Sequence, residues 1–144
     1  MLAPCFEISF RDEGLAPLVL QATLDVFQAD GMRLLTPANT LPARLQSGSV
    51  VASVAANASV FVAVLATRGG RRLALPLDVV IERVPRGLRV VARPRAGTPT
   101  GLVVSRFRNL MGDVVSRLEA GAVDVSVSDL FDAARTGEPP PHLR

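Results

Sequence analysis

The sequence predicts an α+β fold in which an antiparallel β-meander packs against one long amphipathic helix, within a single domain. Residues 45–67 carry no charged side chain, and valine or alanine fills every even position from 50 to 64, which is the period of a β-strand. Residues 73–95 alternate apolar and polar side chains on either side of a turn. Residues 103–118 place apolar side chains at spacings of three and four, as a helix lying on a sheet does.

The uncharged segment 45–67 admits two other interpretations. As a buried helix it would align Ser49, Ser53 and Asn57 in one polar stripe, but Ser59 would then fall on the opposite side. Its length and lack of charge also raise the question of a membrane span. Its alanine and serine content and the alternating segments that follow it favour a pleated sheet, which would form the central apolar wall of the domain and bend near Asn57.

The other elements follow from the same periodicities. In chain order we predict a strand at 5–11, a helix at 14–30, an irregular connection with a short strand at 31–48 and sheet at 49–66. After these we predict turns at 67–71 and 84–87, strands at 73–82 and 88–95, the helix at 103–118, a strand at 123–128 and a helical turn at 129–135 capped by Ser128. Residues 14–30 also match a strand, but Pro17 and Gly31 suit a helix start and stop. Pro76 has no amide hydrogen, which predicts an edge strand or a bulge there.

Length and composition support one domain followed by a short tail. The chain has 144 residues, of which 49% are hydrophobic, and this is enough to bury a core. We assign residues 1–136 to the domain and the proline-rich residues 137–144 to a mobile tail. The single Cys5 excludes an intrachain disulfide, and the N-terminus lacks the pattern of a signal peptide. We therefore expect a cytoplasmic protein, peripheral to a membrane if its arginines contact head groups.

Positive charge is concentrated in the middle third of the chain. Residues 68–117 hold eleven arginines against three acids, a net charge of +8, whereas the segments before and after are net acidic. An anionic partner would bind in this region. The candidate anion-binding residues are Arg68, Arg71, Arg72, Arg86, Arg89, Arg93 and Arg95. The same arginines are what the solvated face of an amphipathic sheet would carry.

The sequence offers no catalytic or metal-binding constellation, and we expect no catalytic residue, metal or cofactor. The single histidine, His142, follows three prolines in the tail, where it would not be held against a substrate. Cys5 therefore lacks an ordered histidine partner and is interpreted as a small buried thiol. Nucleic acid is disfavoured as a partner, because at least four of the six phenylalanines, Phe6, Phe10, Phe61 and Phe107, lie on predicted apolar faces and no recognition motif is present.

Two families show a resemblance to parts of the chain. Residues 73–95 followed by residues 103–118 resemble the tubular lipid-binding (BPI-like) modules, which implies a curved sheet wrapped around a long helix and a groove for acyl chains. Residues 46–65 followed by residues 75–81 are similar to the hot-dog acyl-CoA thioesterases. That resemblance implies a central helix at 46–65 and a following strand at 75–81, with Asn57 the only residue of 45–67 that matches the active-site types of that class.

The expected function is non-catalytic binding of an apolar or lipid-like ligand, or of an anionic membrane or partner surface, through the arginine-rich region. The combination of an apolar wall with a region of one charge sign motivates this expectation. One alternative is a self-associating scaffold that dimerises through an exposed strand edge. The other is a hot-dog acyl-CoA thioesterase. The candidate partners are thus a lipid or apolar small molecule, an anionic membrane, an acidic protein or a second copy of the chain.

Overall fold

The computed structural model confirms the α+β fold over the residues that it describes, which are 3–47, 77–94 and 100–134. In these residues, seven strands form one antiparallel sheet and two α-helices pack on it. The elements are β1 (Pro4–Ser9), a 3-10 turn (Glu13–Leu15), α1 (Ala16–Ala29), β2 (Arg33–Leu34), β3 (Ala43–Ser47), β4 (Leu77–Val84), β5 (Gly87–Pro94), α2 (Thr100–Ala120), β6 (Ser126–Val127) and β7 (Phe131–Asp132). Neither helix of this described part is long and apolar enough to cross a membrane.

The sheet has the strand order β2-β3-β4-β5-β1-β6, and β7 also pairs with β1. The predicted hairpin is confirmed: β4 and β5 pair from Leu77 opposite Pro94 to Val84 opposite Gly87, across the turn at Pro85 and Arg86. The first strand of the chain then pairs with β5 along its length. Because β6 and β7 pair with the other side of β1, this strand lies inside the sheet and connects the hairpin to the end of the chain.

The core lies between one face of the sheet and the two helices. The predicted inward residues of the hairpin, Leu88, Val90 and Ala92, are fully buried. Phe107 of α2 joins the layers, with its ring centroid 5.3 Å from that of Phe6 on β1 and 6.4 Å from that of Phe27 on α1. Aromatic pairs at these separations add to the free energy gained by burying their area.

Both predicted helices are present, and they run antiparallel. Asp30 at the end of α1 pairs with Arg106 near the start of α2, whereas Asp25 pairs with Arg117 near its end. Gly31 adopts the left-handed conformation, with φ at 93°, that ends α1. Two helices therefore pack against the sheet, whereas the predicted fold class names only the long helix α2 in this position.

Three local predictions need correction. The helical turn predicted at 129–135 is absent over the described residues 129–134, where Phe131–Asp132 are strand β7. The Ser128 hydroxyl accepts a hydrogen bond from the Glu7 amide of β1 at 2.8 Å. The strand predicted at 123–128 is limited to Ser126–Val127. The short strand predicted within the connection at 31–48 needs no correction, because β2 and β3 both lie there. The strand that follows Pro76 is not at an edge over residues 77–81, because β4 pairs with β3 on one side and β5 on the other.

Several predictions concern residues outside the described part of the chain. These are the sheet assignment of residues 49–66, the turn at 67–71, the bulge at Pro76 and the tail at 137–144. Only residues 45–47 of the uncharged segment are described, and they belong to β3.

Candidate functional site

The described arginines of the predicted anion-binding set lie in two different environments. Arg89 and Arg93 project from β5 on the face of the sheet opposite the helices, and Arg86 lies in the β4–β5 turn. The remaining members, Arg68, Arg71, Arg72 and Arg95, fall outside the described residues.

The arginines of β5 stand opposite acids of neighbouring strands. The Arg89 guanidinium donates two hydrogen bonds to Glu7 of β1, at 2.9 and 2.6 Å, and lies 3.7 Å from Glu82 of β4. Arg93 is the cross-strand partner of Asp78 in β4. Opposite charges at directly facing positions attract one another. This face of the sheet is consequently close to charge balance, although its positive members lie in the most basic part of the sequence.

The structure instead brings arginines together in a cleft at the β4–β5 turn, which we call the arginine cleft. The cleft has a volume of about 630 Å³. It is lined by Ser9, Phe10, Arg11 and Glu13 after β1, by Arg83, Pro85 and Arg86 around the turn, and by Asp124, Val125 and Ser126 at the start of β6. Two of its three arginines, Arg11 and Arg83, were not among the residues predicted from the sequence.

Gly87 explains why the turn approaches β1 so closely. A Cβ atom at this position would lie 1.8 Å from the Ile8 carbonyl oxygen, so any side chain would push the strands apart. Without one, the turn reaches the end of β1, and the Phe10 amide donates a hydrogen bond to the Arg86 carbonyl at 3.1 Å. Pro85 lies just before Arg86, at a turn position where the fixed φ angle of proline is favoured. The turn therefore holds Arg86 beside the residues that follow β1.

Arg83 is held in place by two neighbours within the cleft. Its guanidinium carbon lies 5.5 Å from the centroid of the Phe10 ring, within the range of a cation–π interaction. One of its nitrogens lies 3.7 Å from the carboxylate of Glu13, a side chain that is largely exposed. Arg83 is thus partly neutralised by the protein itself.

The cleft also contains three charged side chains that lack described neighbours of the kind that hold Arg83. These are Arg11, Arg86 and Asp124. All three are exposed, and among the described residues none of their side chains makes a hydrogen bond or an ion pair. Their charges are available to a molecule that enters the cleft. Phe10, Pro85 and Val125 supply apolar surface between them.

Cys5 lies away from the cleft, on β1, and is fully buried. Burial raises the pKa of its thiol to about 12, although the nearby Arg89 opposes the shift. A thiol with this pKa is protonated at neutral pH and is a poor nucleophile. The interpretation of Cys5 as a buried structural thiol is confirmed.

The described residues contain no group of three or more His, Cys, Asp or Glu side chains that could hold a metal ion. His142 and Asn57 lie outside them. Comparisons with protein-family models, curated proteins and solved structures find no match to this chain. The chemistry of the arginine cleft is therefore the basis for assigning a function.

Proposed function

We propose that this domain binds, without catalysing a reaction, an anionic ligand that carries a short apolar portion, and that the ligand occupies the arginine cleft. The observation that carries the proposal is the pair of exposed side chains Arg11 and Arg86, which have no partner among the described residues and border a cleft of about 630 Å³. Pockets of roughly 300 to 1,000 Å³ are typical of small-molecule sites.

The residue types in the cleft indicate the chemistry of the ligand. Guanidinium groups bind phosphate and carboxylate oxygens with two parallel hydrogen bonds, which favours an anionic group of that shape. Phe10, Pro85 and Val125 would contact carbon atoms next to the anionic group. A lipid head group and a soluble phosphate ester both fit this description.

The arginines of the cleft and the position of Cys5 outside its lining favour a binding role. Arginine remains protonated at physiological pH and cannot accept a proton from a substrate. The one cysteine of the chain lies outside the cleft lining and has a pKa of about 12, so it is not available as a nucleophile.

Isothermal titration with propyl phosphate tests the proposal, with 1-propanol as the uncharged comparison. Propyl phosphate should bind the wild-type protein, and added salt should weaken binding because the contacts are exposed charges. Replacing Arg86 with Gln should weaken binding by roughly fivefold, as expected for one exposed charge contact.

Arg93→Gln is the matched control for Arg86→Gln. Arg93 is also an exposed arginine, but it lies seven residues further along the chain in β5, roughly 20 Å away at the rise of a strand. Its substitution should leave binding unchanged. Equal binding of propanol and propyl phosphate, or equal losses in the two variants, would rule out the arginine cleft as the anion site.

Vesicle co-sedimentation identifies the source of the anionic group. Vesicles of the uncharged lipid digalactosyldiacylglycerol are compared with and without phosphatidic acid, because phosphatidylcholine itself carries a phosphate and an ammonium group. Co-sedimentation that requires phosphatidic acid and is lost in Arg86→Gln supports a membrane head group. Binding of propyl phosphate without any co-sedimentation supports a soluble ligand, and equal binding to both vesicles excludes the head-group role.

The two alternative functions have less support. In the described sheet, the strands at both sides, β2 on one and β6 and β7 on the other, have two residues each. Such short edges offer little backbone for pairing with a second copy. The thioesterase hypothesis depends on Asn57, which lies outside the described residues, and it stays a prediction that acyl-CoA turnover would test.

A further inference from the structure

We infer that the arginine cleft selects a zwitterion, a small molecule with an anionic group and an ammonium group, over a simple anion; this inference rests on the proposed function. The residue that carries it is Asp124. Its exposed carboxylate lines the cleft together with the arginines, yet among the described residues it forms no ion pair with any of them.

The strand order places the two signs of charge on opposite sides of β1. Ser9 of β1 is paired with Gly87 of β5 on one side and with Ser126 of β6 on the other. Neighbouring strands are about 4.8 Å apart, so the backbones at Gly87 and Ser126 are roughly 10 Å apart. Arg86 precedes the first of these residues, and Asp124 lies two residues before the second. The cleft is therefore cationic on the side of the turn and acidic on the side of β6.

The charges within the cleft do not cancel one another completely. Glu13 partly neutralises Arg83 at 3.7 Å, whereas no ion pair joins Arg11, Arg86 or Asp124 to another described residue. A simple anion would satisfy the two arginines but would bring negative charge close to Asp124, which is unfavourable. A ligand with an ammonium group on its other end would satisfy both sides. Phosphate and carboxylate are equally able to supply the anionic end.

Two pairs of molecules of nearly equal shape test this inference by isothermal titration. The first pair is 2-aminoethyl phosphate and propyl phosphate, and the second is 4-aminobutanoate and pentanoate. Within each pair the ammonium group replaces a methyl group. The wild-type protein should bind the amino member of a pair roughly threefold to fivefold more tightly, as expected for one additional exposed charge pair. The pair that binds more tightly identifies the preferred anionic group.

Asp124→Asn should abolish this preference and should leave the binding of propyl phosphate equal or slightly tighter. Asp129→Asn is the control, because Asp129 is an exposed aspartate near β6 that does not line the cleft, and its substitution should preserve the preference. Equal binding within both pairs, or a preference that survives in Asp124→Asn, would overturn the zwitterion inference. Binding of propyl phosphate that depends on Arg86 would still support the proposed function. If none of the four molecules binds, both the zwitterion inference and the proposed function are wrong.

Discussion

The Glu7 carboxylate of β1 accepts two hydrogen bonds from the Arg89 guanidinium of β5, at 2.9 and 2.6 Å, on the face of the sheet away from the helices. The backbone of Glu7 is also fixed, because its amide donates to the Ser128 hydroxyl and its carbonyl accepts from the Ser128 amide. Burial by itself would lower the pKa of Arg89, but its interactions with Glu7 raise the pKa overall. Glu7 of β1 is therefore hydrogen-bonded both to β5, through Arg89, and to the segment after β6, through Ser128.

Replacing Glu7 with Gln should lower the free energy of unfolding by about 1–2 kcal/mol, because Arg89 keeps only a neutral and weaker acceptor. Glu82→Gln is the comparison, since Glu82 lies 3.7 Å from the same guanidinium but is much more exposed. That variant should lose less than about 0.5 kcal/mol. Urea denaturation of both variants measures the difference, and equal losses would mean that burial of Glu7 does not decide its contribution.

Gly87→Ala should destabilise the domain by roughly 3 kcal/mol, because the added Cβ would lie 1.8 Å from the Ile8 carbonyl and must separate the turn from β1. Gly112→Ala is the matched control, since its Cβ would meet no atom within 4 Å on an exposed part of α2. Alanine there should stabilise the helix by up to about 1 kcal/mol. Thermal unfolding with circular dichroism checks both variants. A Gly87→Ala protein as stable as the wild type would show that the close approach is not required.

The two ion pairs between α1 and α2 should differ greatly in their effect on stability. The side chains of Arg106 and Asp30 are 9% and 10% exposed at an N···O distance of 2.7 Å, whereas those of Arg117 and Asp25 are 56% and 36% exposed at 3.3 Å. Arg106→Gln should cost about 2–4 kcal/mol, because it removes one member of a buried charge pair. Arg117→Gln should cost less than about 0.5 kcal/mol. Similar unfolding midpoints in urea for the two variants would contradict this ranking.

Local periodicity was sufficient to predict the elements that expose one face and bury the other. The alternation of Leu88, Val90 and Ala92 with polar residues identified β5, and the three-and-four spacing around Phe107 identified α2. These patterns depend only on which side of an element meets the core. Ser128 shows the limit of this reasoning. A serine before an acidic segment is typical of a helix cap, but here its hydroxyl accepts from Glu7, a residue 121 positions earlier in the chain.

The candidate site was only partly predictable, because it depends on strand pairing. Asp78 and Glu82 alternate with apolar residues along β4, but only the strand register shows that they stand opposite Arg93 and Arg89. Likewise, Arg11 and Arg86 are neighbours because β1 pairs with β5, a contact that links distant parts of the chain. Net charge along the sequence counts charges without their partners. The net charge therefore predicted Arg89 and Arg93 of β5 as anion-binding residues together with Arg86, although β5 faces acids of the neighbouring strands.

Glu13→Gln should strengthen the binding of propyl phosphate by roughly twofold to fivefold. In the unliganded protein the Glu13 carboxylate lies 3.7 Å from Arg83 and competes with an anionic ligand for its charge. A neutral glutamine removes this competition and leaves the stack of Arg83 on Phe10 in place. Isothermal titration measures the gain, and the gain should disappear when Arg83 is also replaced by Gln. Weaker binding in Glu13→Gln would mean that the carboxylate positions Arg83 for the ligand instead.

The composition of this chain makes the titration of Cys5 unusually easy to observe. The chain has no tyrosine, and all sixteen of its basic residues are arginines. Between pH 9 and pH 11 the ionisation of tyrosine and lysine normally dominates, while arginine stays protonated. Cys5 is therefore the one side chain expected to lose a proton in this range in the unfolded protein.

The stability of the domain should fall as the pH rises above 9, because the pKa of Cys5 is raised from 9.0 to about 12 in the folded state. In this interval the unfolded chain has released the thiol proton and the folded chain still holds it, so that deprotonation favours unfolding. The free energy of unfolding should decrease by up to about 1.4 kcal/mol per pH unit, which is the limit for one proton. Urea denaturation at pH 7, 9, 10 and 11 measures the slope. Cys5→Ala should remove it, and an equal slope in that variant would show that Cys5 is not its source.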